Sequence, residues 1–133
     1  MSMRATARRE NGSLRHDLEV GDHHLTADEP SEHGGEDAGP SPQQLLAASL
    51  ASCSAITMEM YARRKGWEIG EVTVDVDYEP AQRGSPTKFQ IAVRLPKELP
   101  EDQREKLMQV VTKCPVHRTL ESEVMFEERV TLA

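Results

Sequence analysis

The stretch GPSPQQLLAASLASCSAITMEMYARRKG, Gly39 to Gly66, sets how the rest of the chain must fold. Ser41, Pro42 and Gln44 mark a helix start. The serine oxygen can cap a free backbone N–H, proline suits the first helical position, and a glutamine three residues after the serine completes a capping box. No charged residue falls between Gln44 and Glu59. Arg63, Arg64 and Lys65 then set cations against the negative end of the helix dipole, and Gly66 supplies the left-handed conformation that ends the helix. Such a helix is roughly 36 Å long at 1.5 Å per residue, about the width of a whole domain. Apolar and small residues lie all round it, so it is expected to be buried and central. The run also approaches the roughly twenty apolar residues that cross a bilayer. Ser49, Ser52, Ser54 and Thr57 interrupt it, and alanine contributes more than Leu or Phe, which favours a core helix in a soluble protein.

The 133 residues suffice for one domain, 1–133, with one modest core. The net charge is -7 and the basic residues are scattered, so neither nucleic acid nor a membrane surface is expected as a partner. The amino terminus, MSMRATARRENG, lacks the apolar core of a signal peptide. Two cysteines without an export signal point to the reducing cytoplasm, where a transient disulfide is allowed and a permanent one is not expected. Only 37% of residues are hydrophobic and aromatics are few, which is little apolar mass to cover so apolar a helix. A partner subunit is therefore expected to supply the rest.

Residues 2–9 and 13–20 read as two short strands around the turn Glu10-Asn11-Gly12, and His23–Ala27 as a third. Their alternation is weak, which leaves one face for solvent or another subunit. Asp28 to Gly39 (DEPSEHGGEDAG) reads as loop, with Asp28-Glu29 and Glu36-Asp37 as solvated charges. After Gly66 the period changes to two. Val72, Val74, Val76 and Tyr78 alternate with polar residues, Pro80–Pro86 turns the chain, and Phe89, Ile91, Val93 and Leu95 return antiparallel. Glu101 and Asp102 open a helix whose Leu107, Val111 and Cys114 share one face, so Cys114 points inward. Pro115 breaks that helix and 116–121 adds a short further turn. Val124, Phe126, Val130 and Leu132 suggest a final strand. The class is α+β with an antiparallel sheet.

Cys53 and Cys114 are the residues with chemistry to offer. A cysteine often serves only as a small buried hydrophobe, and that reading stands for either one taken singly. Their wide separation excludes a CxxC motif and argues against structural zinc, but both sit on inward helix faces and can meet in space. Cys53 lies three turns into its helix, beyond the reach of the dipole, so activation needs a cation from elsewhere. Arg8, Arg9, Arg15 and Arg118 are the candidates, against the plain alternative of solvated surface charges. His23 and His24 are adjacent, which on a strand turns them to opposite faces, and no metal site is expected. No phosphate loop, GxSxG elbow or dinucleotide fingerprint is present.

ADEP at Ala27–Pro30, GG at Gly34–Gly35, GPSPQQLLAASLASC at Gly39–Cys53 and CPVHRTLE at Cys114–Glu121 together resemble the OsmC/Ohr family. The resemblance implies an OsmC-like fold, an intertwined homodimer in which antiparallel sheets wrap two long central helices, with active sites at the subunit interface. It implies cysteine-based reduction of organic hydroperoxides without a cofactor, regenerated by a small dithiol or a protein thiol. Cys53 matches the peroxidatic cysteine and Cys114 the resolving one. Arg9 is the best match to the arginine that holds the thiolate, with Arg8 and Arg15 as alternatives. The family's glutamate at the helix start, which pairs with that arginine, is replaced by Gln43 and Gln44, which are assigned to the substrate-binding region. An uncharged amide orients a guanidinium more weakly than a carboxylate. That departure keeps two other readings open: a binding or stress-response protein on the same fold, and a thiol enzyme acting on another electrophile.

Overall fold

In the computed structural model, which describes residues 3–132, the chain divides into two compact units at Ala48/Ser49. In the first unit, β1 (Ala5–Arg9), β2 (His16–Val20) and β3 (His23–Ala27) form an antiparallel sheet in that order. Ala7 lies opposite Leu18, and Leu18 opposite Leu25, so the few apolar residues share one face and Thr6, Arg8, Asp17, Glu19 and His24 the other. Strand β1 is exposed throughout, as its weak alternation implies. Residue 2 of the expected first strand lies outside the described residues. The second strand begins at His16 rather than at residue 13, because Asn11–Arg15 is held as a turn. Asn11 Oδ1 accepts from both the backbone N–H and the hydroxyl of Ser13, and Ser13 Oγ accepts from the Arg15 N–H.

The segment between β3 and the long helix corrects the reading of Asp28 as a solvated charge. Asp28 is only 2% exposed, and its carboxylate accepts the backbone N–H groups of Glu29 (2.8 Å), Glu36 (3.1 Å) and Ala38 (3.1 Å). Those donors replace water and make burial of the charge tolerable. They hold the carboxyl below its ordinary range, with the Ala38 N–H the largest cause and desolvation opposing. A single 3-10 turn, Ser31–His33, and the bond from the Asp37 N–H to the Glu29 carbonyl (3.1 Å) complete the loop. Gly35 and Gly39 are required for space, since a Cβ at either would collide with the backbone carbonyls of Glu29 and Thr26 respectively.

Helix α1 (Pro42–Lys65) starts and stops as its sequence dictates. The Ser41 N–H donates to Gln44 Oε1 (2.9 Å) and the Gln44 N–H to Ser41 Oγ (3.2 Å), a reciprocal capping box. At the other end Gly66 has φ +72°, with bonds from its N–H to the Arg63 carbonyl and from the Trp67 N–H to the Ala62 carbonyl. That is the Schellman arrangement.

The second unit contains α1 from Ser49 on, the hairpin β4 (Thr73–Glu79) and β5 (Lys88–Arg94), α2 (Glu101–Val111) and α3 (Pro115–Glu121). Val74 faces Val93, Val76 faces Ile91, and Tyr78 stacks on Phe89 with ring centroids 4.8 Å apart. Met58 and Ala62 of α1 meet Leu107 and Val111 of α2, with Ile69 and Leu99, in one core over which the hairpin's Val74, Ile91 and Val93 pack.

Two expectations fail here. The long helix is not buried all round: Leu50, Ser54, Met58 and Ala62 form its buried stripe, while Ile56 (58%) and Met60 (59%) are exposed. One chain supplies apolar partners for one side only. The final strand is also absent, and residues 123–132 have no regular structure, with Val124, Met125, Phe126, Val130 and Leu132 all exposed. Alternation makes a segment fit for a sheet, but a strand exists only where a neighbour completes its hydrogen bonds.

Candidate functional site

The two cysteines come together within the second unit. Cys53 is half-buried on α1, one position before Ser54 in the buried stripe, and Cys114 is wholly buried between α2 and α3. Both are free thiols. Cys114 occupies the N-cap of α3, where its sulfur accepts the His117 N–H at 3.3 Å, and Pro115 follows as the first helical residue. Proline there removes a donor that would have had no partner. Ser54 Oγ lies 4.0 Å from Cys114 Sγ, and Cys53 is close enough to act on Cys114 both as a hydrogen-bond partner and through charge.

Burial pushes the Cys114 thiol up, and this is the largest influence on it. The His117 N–H opposes, the bond to Cys53 and its charge push further up, and the Ser54 hydroxyl opposes again. Burial and the neighbouring Cys53 thus favour the protonated form of the Cys114 thiol. Cys53 is the more exposed residue of the pair.

The remaining expected site residues lie in the first unit or at the edge of the thiol pair. Of the three candidate arginines, Arg8 pairs with Glu19 (3.6 Å) and Arg15 with Glu10 (2.8 Å). Arg9 has no ion-pair partner among the described residues, and its guanidinium lies over Gly12, where a Cβ would come within 3.1 Å of Nη2. Gln44 has its amide oxygen committed to the Ser41 N–H, while Gln43 beside it is exposed. Arg118 is exposed on α3, and the groups that shift Cys114 include no arginine. The His117 ring pairs with Glu121 (2.7 Å). Among the described residues no group of three His, Cys, Asp or Glu side chains is arranged to hold a metal. Sequence reasoning passed over Ser54 and the His117 amide. The signal for Ser54 was legible in principle, as a hydroxyl at four-residue spacing among Leu50, Met58 and Ala62.

A long capped helix, antiparallel strands and two free thiols close together define a two-cysteine α+β protein. A family model described as OsmC-like protein matches residues 34–129, and the chain belongs to the OsmC family. Among solved structures, the OsmC-like protein from Mycoplasma pneumoniae superposes with a TM-score of 0.76 at 20% identity, covering 91% of this chain and 88% of that one. A putative osmotic stress induced and detoxification response protein from Psychrobacter arcticus gives 0.71 at 24% identity, covering 90% and 87%. An organic hydroperoxide resistance protein OsmC from Legionella pneumophila gives 0.65 at 22%, covering 90% and 89%. At these identities the likeness fixes the fold. No curated protein matches the chain by sequence.

Proposed function

We propose that this protein is a thiol-dependent peroxidase that reduces organic hydroperoxides. The observation that carries the reading is the closeness of the half-buried Cys53 to the buried Cys114, whose sulfur lies 4.0 Å from the hydroxyl of Ser54, the residue that follows Cys53. The Cys53 thiolate attacks the distal oxygen of ROOH, the O–O bond breaks, and the departing alkoxide takes a proton to leave as alcohol. Cys53 is then a sulfenic acid. The Cys114 sulfur attacks it, the S–O bond breaks, and the thiol proton leaves with hydroxide as water. A small dithiol or protein thiol regenerates the pair, and no cofactor is required. Arg9, which has no ion-pair partner among the described residues, is the group assigned to hold the thiolate, and Gln43 and Gln44 are assigned to the substrate. Membership of the OsmC family and the hydroperoxide-resistance description of a structural neighbour support this reading. The exposed Ile56 and Met60 of α1 and the apolar tail after Ser122 provide surface for a second copy, consistent with a homodimer. The cytoplasm, where thiol reductants are plentiful, is the assigned compartment.

Cumene hydroperoxide is expected to convert the reduced protein to an intramolecular Cys53–Cys114 disulfide. Cys114→Ser is expected to stop at the sulfenic acid or proceed to the sulfinic acid, and Cys53→Ser not to react. Mass spectrometry of the treated wild type reads the result directly. Two free thiols after treatment would remove the peroxidase reading and leave a binding or stress-response protein on this fold in its place.

A further inference from the structure

Ser54 is wholly buried in a helix stripe whose other members are Leu50, Met58 and Ala62. A hydroxyl in such a place is unfavourable unless it is bonded. Serines inside helices commonly satisfy themselves on a carbonyl of the preceding turn, as Ser52 does with the Ser49 carbonyl at 3.1 Å. Ser54 instead meets the Cys114 sulfur, and no buried side-chain N or O among the described residues is left without a partner. The Cys114 sulfur therefore accepts from the His117 N–H and lies 4.0 Å from the Ser54 hydroxyl, which becomes a donor once the sulfur is ionised. Hydrogen bonds of this kind strengthen when the acceptor becomes charged.

The two cysteines also differ in exposure, since Cys114 is 0% exposed and Cys53 is half-buried. In thiol–disulfide exchange the attacked sulfur must be reachable and the other leaves as a thiolate, faster when that thiolate is stabilised. We infer that an external dithiol reduces the Cys53–Cys114 disulfide by attack at Cys53, and that Ser54 is a positioning residue which, with the His117 amide, holds the departing Cys114 thiolate. This rests on the two-cysteine cycle proposed above. A reductant thiolate forms a new S–S bond to Cys53 as the Cys53–Cys114 bond breaks. The electron pair stays on Cys114, which then takes the proton of the reductant's second thiol. That second thiolate attacks the reductant sulfur of the mixed disulfide, leaving a cyclic disulfide and a free Cys53 thiolate.

Diamide oxidation forms the disulfide without peroxide, so the test is separate from the peroxidase reading. Oxidised protein is treated with glutathione, which cannot cyclise, and the mixed disulfide is mapped by peptide mass spectrometry. Glutathione on Cys53 is expected, and glutathione on Cys114 would overturn the assignment. Reduction by dithiothreitol is expected to slow roughly tenfold in Ser54→Ala, about the effect of one hydrogen bond to a charged group, and to recover in Ser54→Thr. In a Cys53→Ser background, Ser54→Ala is expected to raise the pH at which the ultraviolet thiolate absorbance of Cys114 appears. A purely structural role for Ser54 would leave that titration unmoved and would sink the positioning claim. Failure of diamide to form the disulfide would sink both claims, whereas failure of peroxide alone would touch only the peroxidase reading.

Discussion

The loop from Asp28 to Gly39 and the tail from Ser122 to Leu132 contradict their compositions in opposite directions. The loop is rich in proline, glycine and acids, which is the composition of a solvated connection, yet it is bonded to itself at almost every turn. The tail alternates apolar residues as a strand does, yet no strand forms there. The difference lies in where each segment's partners are. A carboxylate within ten residues of three free amides can order a loop from inside. Apolar alternation asks for a neighbour, and its own sequence cannot provide one.

The largest effect expected from testing this contrast is at Gly35. Gly35→Val puts a Cβ into the Glu29 carbonyl and beside Asp28 Oδ1, so the loop cannot close. A loss of about 2–4 kcal/mol is expected in thermal or urea unfolding, as for other steric conflicts with fixed backbone. A change near zero would show that the loop is not held as described.

Asp28→Asn is expected to be milder and to depend on pH. The folded-state pKa of Asp28 is depressed below 3.8, so its contribution is complete above pH 3.8 and is lost as pH falls through the folded-state value. At neutral pH the variant is expected to unfold at a lower temperature than the wild type, because an amide NH2 replaces one acceptor among three donors. The gap should narrow steadily below pH 3.8. A gap that is constant with pH would assign the effect to shape rather than charge.

The smallest effect within one chain belongs to the tail. Phe126→Asp is expected to change the stability of an isolated chain by no more than about 0.5 kcal/mol, since the side chain is exposed. In light scattering at micromolar concentration the same substitution is expected to shift a dimer toward monomer. An unchanged oligomeric state would show that the tail is not part of the subunit contact.

How far the sequence carried can be judged from these same residues. The bounds of α1, its capping box and its glycine stop were legible because each depends on neighbours within a few positions. The β4–β5 pairing was legible because two well-alternating segments flank one turn. The inward face of Leu107 and Val111 followed from helix periodicity, whereas Cys114, expected on that same helix, lies beyond its end at Val111 and is buried as the N-cap of α3. Asp28 was misread because its three donors depend on the path of the loop, which composition does not encode. Ser54 was missed for a related reason: a serine in an alanine-rich helix has little meaning until the sulfur opposite it is known. The meeting of Cys53 and Cys114 was open from periodicity alone, since two inward faces need not be opposite each other.

The joint between the loop and the long helix has a consequence for local unfolding. The Asp28 N–H donates to the Pro40 carbonyl, and Ser41 next to it holds both halves of the capping box. The amides of Glu36 and Ala38 close on the Asp28 carboxylate, and that of Gln44 on the Ser41 hydroxyl. Releasing Asp28 from Pro40 frees the chain immediately before the cap, so the loop and the first turn of the helix open as one foldon rather than fraying separately. In hydrogen exchange these three amides are expected to share a single opening free energy, which ties the durability of the helix end nearest the loop to the loop's one buried carboxylate.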